Sequence, residues 1–285
     1  MATTEKIFRK DILKGKVALV TGGGSGICKG MTEAMLRHGA KVVITSRSQE
    51  RLDKAAEEMR KEIGGEILAI ASDVRKPEEI IKVVDATIEK FGRIDILVNG
   101  AAGNFLSPVD TLSYRGFRTV IEIDLLGTFN TSKAAFPYLK KSKGVVINVS
   151  SNLQYQGIPF QSHVSAAKAG IDALTRVLAA EWGPHQIRVN CVSPGPIEDT
   201  VGLEKLLPPA ATVEMTRNIP LQRFGKIRDI EHATLFLASE ASSYVTGTIV
   251  LVDGGEALRR TWAFSYPEGV LNPTDFLGKK SGSKL

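Results

Sequence analysis

"KVALVTGGGSGICKGMTEAMLRHG", residues 16–39, decides the fold. A short β-rich run leads into a glycine turn, and apolar residues then recur at helical spacing. In Thr21-Gly22-Gly23-Gly24-Ser25-Gly26-Ile27-Cys28 the glycines let the backbone turn tightly and approach a pyrophosphate. The following helix offers its free N–H groups and positive end to phosphates. A plain strand-to-helix turn is the alternative, but the run follows a strand and opens a helix, as a dinucleotide-binding fingerprint requires. Cys28 stands where a third glycine is usual, which predicts slightly looser helix–strand packing without blocking the phosphates.

Working outward, "AKVVITSR" (40–47) supplies the next strand, and "EILAIASDV", "IDILVNGAA", "GVVINVSS", "IRVNCVSPG" and "TIVLVDGG" follow as further strands. Helical patterns lie between them at 49–63, 77–91, 113–141, 164–182 and 228–239. Strands alternating with helices predict an α/β fold: a doubly wound parallel sheet of Rossmann type, with ligands across the carboxyl ends of the strands. No Pro/Gly/Ser-rich linker or repeat divides the chain, so residues 1–255 are expected to form one domain. Residues 198–220 are expected to form a variable lid over the substrate, and 256–285 a C-terminal extension.

With 285 residues and 43% hydrophobic content, the chain is long enough to bury a large core. No window of about 18 apolar residues is free of charge, which argues against a membrane span. The N-terminal "MATTEKIFRKDILKGK" lacks the apolar segment of a secretory signal. The two cysteines, Cys28 and Cys191, suit neither a disulfide framework nor a metal site, and a reducing compartment is expected. The formal charge of +6 is scattered among acidic residues, which argues against nucleic acid and suits a polyanionic small molecule. Ser283-Lys284-Leu285 is a tripeptide read by the peroxisomal import receptor, so the peroxisomal matrix is the expected location.

The end of the second strand selects between dinucleotides: an acidic residue there bonds the ribose 2′-hydroxyl, and a basic one accommodates a 2′-phosphate. Here Thr45-Ser46-Arg47 has no carboxylate to repel the phosphate, so Arg47 predicts NADPH, with a solvated surface charge as the alternative. Asp73, at the end of the third strand, is a candidate acceptor for the adenine amino group or, alternatively, a turn cap.

The glycine turn, Asp73-Val74, "LVNGAAG" (97–103), "INVSS" (147–151), Lys168 and "SPGPI" (193–197) occur in an order that resembles the short-chain dehydrogenase/reductase family over residues 15–255. The resemblance implies that Thr21, Gly22, Gly24, Ser25, Gly26, Ile27, Arg47, Asp73 and Val74 hold the adenosine and phosphates. It further implies that Asn99, Ala101, Lys168, Pro194, Gly195 and Ile197 line the nicotinamide end. Family members bond the nicotinamide ribose through the lysine and carry a tyrosine one helical turn earlier, on the same helix face. That position holds Val164, which donates no proton. The family's serine maps onto Ser151 and its asparagine onto Asp124 in "IEIDLLGTF". "AAGNF" (101–105), "IDLLGTFN" (123–130) and "HVSAAKAGIDA" (163–173) resemble the branch of that family that reduces 2,4-dienoyl-CoA thioesters in peroxisomes.

A ketone reductase must place a proton on oxygen, the task of tyrosine. In a 2,4-dienoyl-CoA, hydride adds at C5, charge moves to the thioester oxygen, and the proton is placed on carbon at C2, as the resemblance implies. Donors aimed at the oxyanion and a proton source over C2 suffice. The expectation is that Lys168 holds the ribose and stabilises charge, Ser151 donates a hydrogen bond, and Asp124 with Lys168 and a water delivers the proton. An aspartate beside a lysine is a poor acid by itself, which favours the water relay. The blander roles are a turn cap for Asp124, a strand-end partner for Ser151 and a helix-start filler for His163. Asn104, Phe105 and His163 are candidates for lining the acyl-CoA substrate, and Tyr155 is an alternative proton donor. Lys205, Arg217, Arg259, Arg260 and Trp262 are weaker candidates for coenzyme A or a partner subunit. Another reductase, acting on a 2-enoyl-CoA or a ketone, and a non-catalytic NADP-binding scaffold remain the competing readings. Relatives of this kind commonly pair through helices at 113–141 and 164–182, so a homo-oligomer is expected.

Overall fold

Residues in strand β1, Val17–Thr21, are buried along their whole length, as in a sheet covered on both faces. Ala18 and Val20 point to one layer of core and Leu19 to the other. The same alternation recurs at Ile96 and Val98 against Leu97, and at Val145 and Ile147 against Val146. The structure, a computed structural model, describes residues 3–200, 203, 212–258 and 268. Lys205, Arg259, Arg260, Trp262, the tripeptide 283–285 and, within the predicted lid, residues 201, 202 and 204–211 lie outside the described residues.

After the short helix α1 (Thr4–Ile7), the elements alternate: β1, α2 (Gly26–Arg37), β2 (Lys41–Ser46), α3 (Gln49–Glu62), β3 (Ile67–Ala71), α4 (Pro77–Phe91) and β4 (Ile96–Asn99). Then come α5 (Tyr114–Ile121), α6 (Gly127–Ser142), β5 (Val145–Val149), α7 (Leu153–Gln156), α8 (Ser162–Trp182), β6 (Arg188–Pro194) and, after helix Ile227–Ala238, β7 (Ile249–Val252). The seven strands are parallel, in the order β3-β2-β1-β4-β5-β6-β7. The order reverses between β1 and β4, which opens a crevice at their carboxyl ends, the place where doubly wound sheets bind ligands. One core layer joins Met31 and Met35 of α2 and Leu52 and Met59 of α3 to Ile230 and Leu235 of helix Ile227–Ala238. The other gathers Val83 and Val84 of α4, Leu139 of α6 and Leu178 and Trp182 of α8.

The predicted helix over 113–141 is present and runs from Tyr114 to Ser142, but it widens in its middle. Between α5 and α6, Glu122–Leu126 form a π-helical turn, and Asp124 lies at its centre. The wider turn accommodates an extra residue within the helix, an arrangement frequent at functional sites and invisible to a 3.6-residue periodicity.

Candidate active site

The cofactor side of the crevice begins at Thr21, whose hydroxyl accepts hydrogen bonds from Gly100 N (3.0 Å) and Ala101 N (3.1 Å) and so ties β1 to the turn after β4. Gly22 has φ +73° and a Cβ there would lie 3.0 Å from Gly100 O, so both its conformation and its neighbour require glycine. A Cβ on Gly100 would lie 2.2 Å from Cys28 Sγ. The cysteine sulfur therefore fills the room that glycine leaves at position 100, and the predicted loosening of the packing does not arise. Burial pushes the Cys28 thiol up to about 11.

Helix α2 starts at Ser25 without a side-chain cap, carries no acidic residue in its first turn, and Gly26 faces open space. Its N–H groups and positive end are free for an anion, so these residues fit a dinucleotide. Gly24 closes against Leu52, Ile27 packs on the core, and Arg47 is exposed just past β2. The Asp73 carboxylate accepts from the Arg75 side chain (2.9 Å to Nε) and from Arg75 N (3.0 Å). Those bonds to Arg75 hold its carboxyl below the usual carboxylate range. Asp73 thus forms a side-chain turn at this corner, the alternative raised by its position. Val74 is buried beside it and its carbonyl accepts from Asn130.

At the far end of the crevice, Asn99 is buried and donates to Ser132 Oγ (2.9 Å) and Asn148 Oδ1 (2.8 Å), a knot joining β4, β5 and α6. Gly195 N bonds Val252 O, and Ile197 is buried in a single parallel bridge with Gly225. Pro194 ends β6 next to them.

Between these walls lies an ion pair. Lys168 Nζ stands 3.1 Å from Asp124 Oδ2 and donates to Val149 O at 3.0 Å; the lysine is 5% exposed and the aspartate 0%. Gly103 N donates to Asp124 Oδ1 at 2.8 Å, and Thr128 Oγ1 donates to the Asp124 carbonyl. The Nζ–Oδ2 contact lies off the hydrogen-bonding direction, so Oδ2 is buried without a directed donor. The Ser151 hydroxyl faces its own turn, with Gln154 Oε1 and Leu153 N each at 3.4 Å. Gln154 and the Tyr155 phenol both donate to Asp172 Oδ2 at 2.7 Å. Burial first, then the bond to Asp172, pushes the phenol up to about 12, so its proton is poorly available.

Val164 packs with Val120 and Ala167 in a small apolar cluster edged by Ile121 and Leu153, so the helix face that would carry a phenol is sealed with aliphatic groups. Val164→Tyr is expected to destabilise the fold by about 1–3 kcal/mol through overpacking, read by urea unfolding. His163 is fully buried under the Phe105 ring, 4.4 Å between centroids, and Asn104 Nδ2 donates to the buried Gln161 at 2.8 Å. Ser107 N also bonds Phe160 O, so the strand-end loop carrying Asn104 and Phe105 is tied to the start of α8. Sequence alone did not single out Gln161, Gln154 or Asp172; no local pattern marks them, since each acts through a partner distant in the chain. Among the described residues no group of His, Cys, Asp and Glu could hold a metal ion, and no helix is long and apolar enough to cross a membrane.

Residues 22–256, which carry the glycine turn, the sheet and Lys168, match the family described as Enoyl-(Acyl carrier protein) reductase. The chain belongs to the short-chain dehydrogenase/reductase family, whose members use a nicotinamide cofactor. It is 49% identical over 251 residues to the peroxisomal 2,4-dienoyl-CoA reductase, (3E)-enoyl-CoA-producing, of Danio rerio, spanning 87% of this chain and 84% of the relative. It is also 49% identical over 256 residues to the enzyme of the same description from Saccharomyces cerevisiae, spanning 88% and 87%. A solved short chain dehydrogenase from Bacillus anthracis superposes with a TM-score of 0.80 at 40% identity, covering 88% of this chain and 100% of its own.

Proposed function

We propose that the protein reduces 2,4-dienoyl-CoA to 3-enoyl-CoA with NADPH in the peroxisomal matrix. The observation that carries this reading is the Lys168–Asp124 pair, buried beneath a helix face on which Val164 replaces any phenol. Two relatives at 49% identity bear the corresponding name and support the substrate class. When bound, the cofactor supplies hydride to C5 of the dienoyl group.

The chain's own residues provide the rest. Lys168 places a cation where negative charge accumulates on the thioester, in a site shielded from bulk water where such charge stabilisation is strongest. Asp124 Oδ2, lacking a directed donor, is an acceptor for a water that also contacts Lys168; that water is the proton source for C2. As C5 gains hydride the C4–C5 pair becomes a C3–C4 double bond and the C2–C3 pair moves toward the thioester oxygen; the proton placed on C2 then restores the thioester, and a 3-enoyl-CoA leaves. Ser151, whose hydroxyl is engaged within its own turn, takes a secondary part in this scheme. Asn104 and Phe105 line the acyl side, and Thr21, Gly22, Gly24 to Ile27, Arg47, the Asp73-Val74 corner, Asn99, Ala101, Lys168, Pro194, Gly195 and Ile197 the cofactor side.

The deciding assay follows NADPH oxidation and loss of dienoyl absorbance with hexa-2,4-dienoyl-CoA, against a 2-enoyl-CoA and a ketone. Turnover of the dienoyl thioester alone supports the reading; preference for either of the others overturns it, and tight NADPH binding with no turnover of any of the three indicates a scaffold. Preference for NADPH rests on Arg47 at the end of β2. Arg47→Glu is expected to lower kcat/KM for NADPH by about 10- to 100-fold, the worth of one hydrogen-bonded charge contact, and to leave NADH little affected.

The peroxisomal names of the relatives and the tripeptide 283–285 support import by its receptor, and altering the tripeptide should leave a fluorescent fusion outside peroxisomes. A homo-oligomer is part of the proposal: Phe129 of α6 and Val177 of α8 are large apolar side chains in solvent. Light scattering in solution reads the state.

A further inference from the structure

His163 is 0% exposed, and both of its ring nitrogens are buried without a well-formed hydrogen bond, the Phe105 backbone approaching the ring without completing one. Native proteins rarely leave such a group unsatisfied, so a buried imidazole without a firm partner beside the Asp124–Lys168 pair points to a ligand group as its partner. The imidazole sits one position before Val164, packs under Phe105, and lies within the field of the Asp124 carboxylate. Burial lowers its pKa, against the smaller opposing pull of the Phe105 backbone and Asp124, so the ring is neutral and carries one N–H.

Other donors around the pair are engaged. Lys168 Nζ is drawn to Val149 O and Asp124, the Ser151 hydroxyl to Gln154, the Tyr155 phenol to Asp172, and the Asn104 amide to Gln161. Resting on the dienoyl-CoA reading, we propose that the His163 imidazole N–H, in place of the absent phenol, donates the hydrogen bond that stabilises the thioester oxygen as charge moves onto it. No proton is transferred to that oxygen: the imidazole holds its hydrogen while the pair of electrons resides there, and C2 receives the proton from the Asp124–Lys168 side. His163 is thereby a catalytic residue, and Phe105 shields its N–H from water in the free protein.

The test compares His163→Leu, which removes the donor at similar volume, with His163→Gln, which retains an N–H. Two readouts are taken: single-turnover rate with NADPH and hexa-2,4-dienoyl-CoA, and the red shift of the dienoyl absorbance when that thioester binds in the presence of NADP+, which reports polarisation of its carbonyl. His163→Leu is expected to lose the shift and about 100- to 1,000-fold in rate, the usual loss for one oxyanion donor, with NADPH affinity unchanged. His163→Gln should recover at least part of both. Wild-type rate and red shift in His163→Leu, or equal losses in the two variants, would overturn the assignment. If the wild-type protein itself fails to turn over the dienoyl thioester, the proposed function falls with it; a wild-type enzyme that turns over beside an undiminished His163→Leu removes the histidine alone.

Discussion

Asp124→Asn is expected to lower turnover of a 2,4-dienoyl-CoA by about 100- to 10,000-fold, the range for loss of a positioned acid–base group, with NADPH affinity within a few-fold of wild type. The substitution is nearly isosteric. The amide oxygen still accepts from Gly103 N, the bond that fixes the side chain at 2.8 Å, so the backbone of the strand-end loop has no reason to move. What changes is the second oxygen. Oδ2 becomes an NH2 group, which repels the Lys168 ammonium 3.1 Å away and offers a hydrogen where a water's hydrogen would be accepted. Substrate and cofactor still bind, but nothing aligns a proton over C2. Stopped-flow absorbance with the purified variant, alongside NADPH titration by fluorescence, separates the two effects. Turnover within about threefold of wild type would reduce Asp124 to a structural partner of the loop.

Lys168→Met is expected to cost about 3–5 kcal/mol of stability as well as activity, because it strips a 0% exposed carboxylate of its cation. Burying an unpaired charge is far worse than burying none. The paired substitution Asp124→Asn with Lys168→Met should therefore recover most of the lost stability, since neither charge is then left alone. It should recover none of the turnover. A urea unfolding series over the two single variants and the double variant gives the coupling energy directly. Additive losses would mean that the two side chains, although 3.1 Å apart, do not act on each other.

Much of this site is written locally. The glycine turn of residues 22–26 and the alternating strands announce themselves because backbone freedom and burial depend on residues close in the chain. Lys168 is legible for a similar reason, since its place one turn after Val164 follows from helix geometry. Asp124 is legible by resemblance as a residue type, but not as a geometry. The π-helical turn of Glu122–Leu126 that presents it reads as ordinary amphipathic helix. Other features depend on pairs that no local pattern couples. Cys28 and Gly100 exchange volume across 72 residues, Asn104 meets Gln161 across 57, and Tyr155 yields its hydrogen to Asp172. The same limit applies to Ser151: its position in "INVSS" suggests a donor, yet Gln154 holds that hydroxyl within its own turn.

The sulfur that fits against Gly100 has a practical side. Burial pushes the Cys28 thiol up to about 11 and that of Cys191, at the centre of β6, up to about 12. Neither is a thiolate at neutral pH, and neither is reachable from solvent. Oxidants and alkylating reagents therefore modify them only in molecules that have opened, one thiol timing release of the cofactor turn and the other release of the sheet. The native chain carries its own pair of clocks, with no label added, for how firmly a bound dinucleotide holds the first region closed against the second.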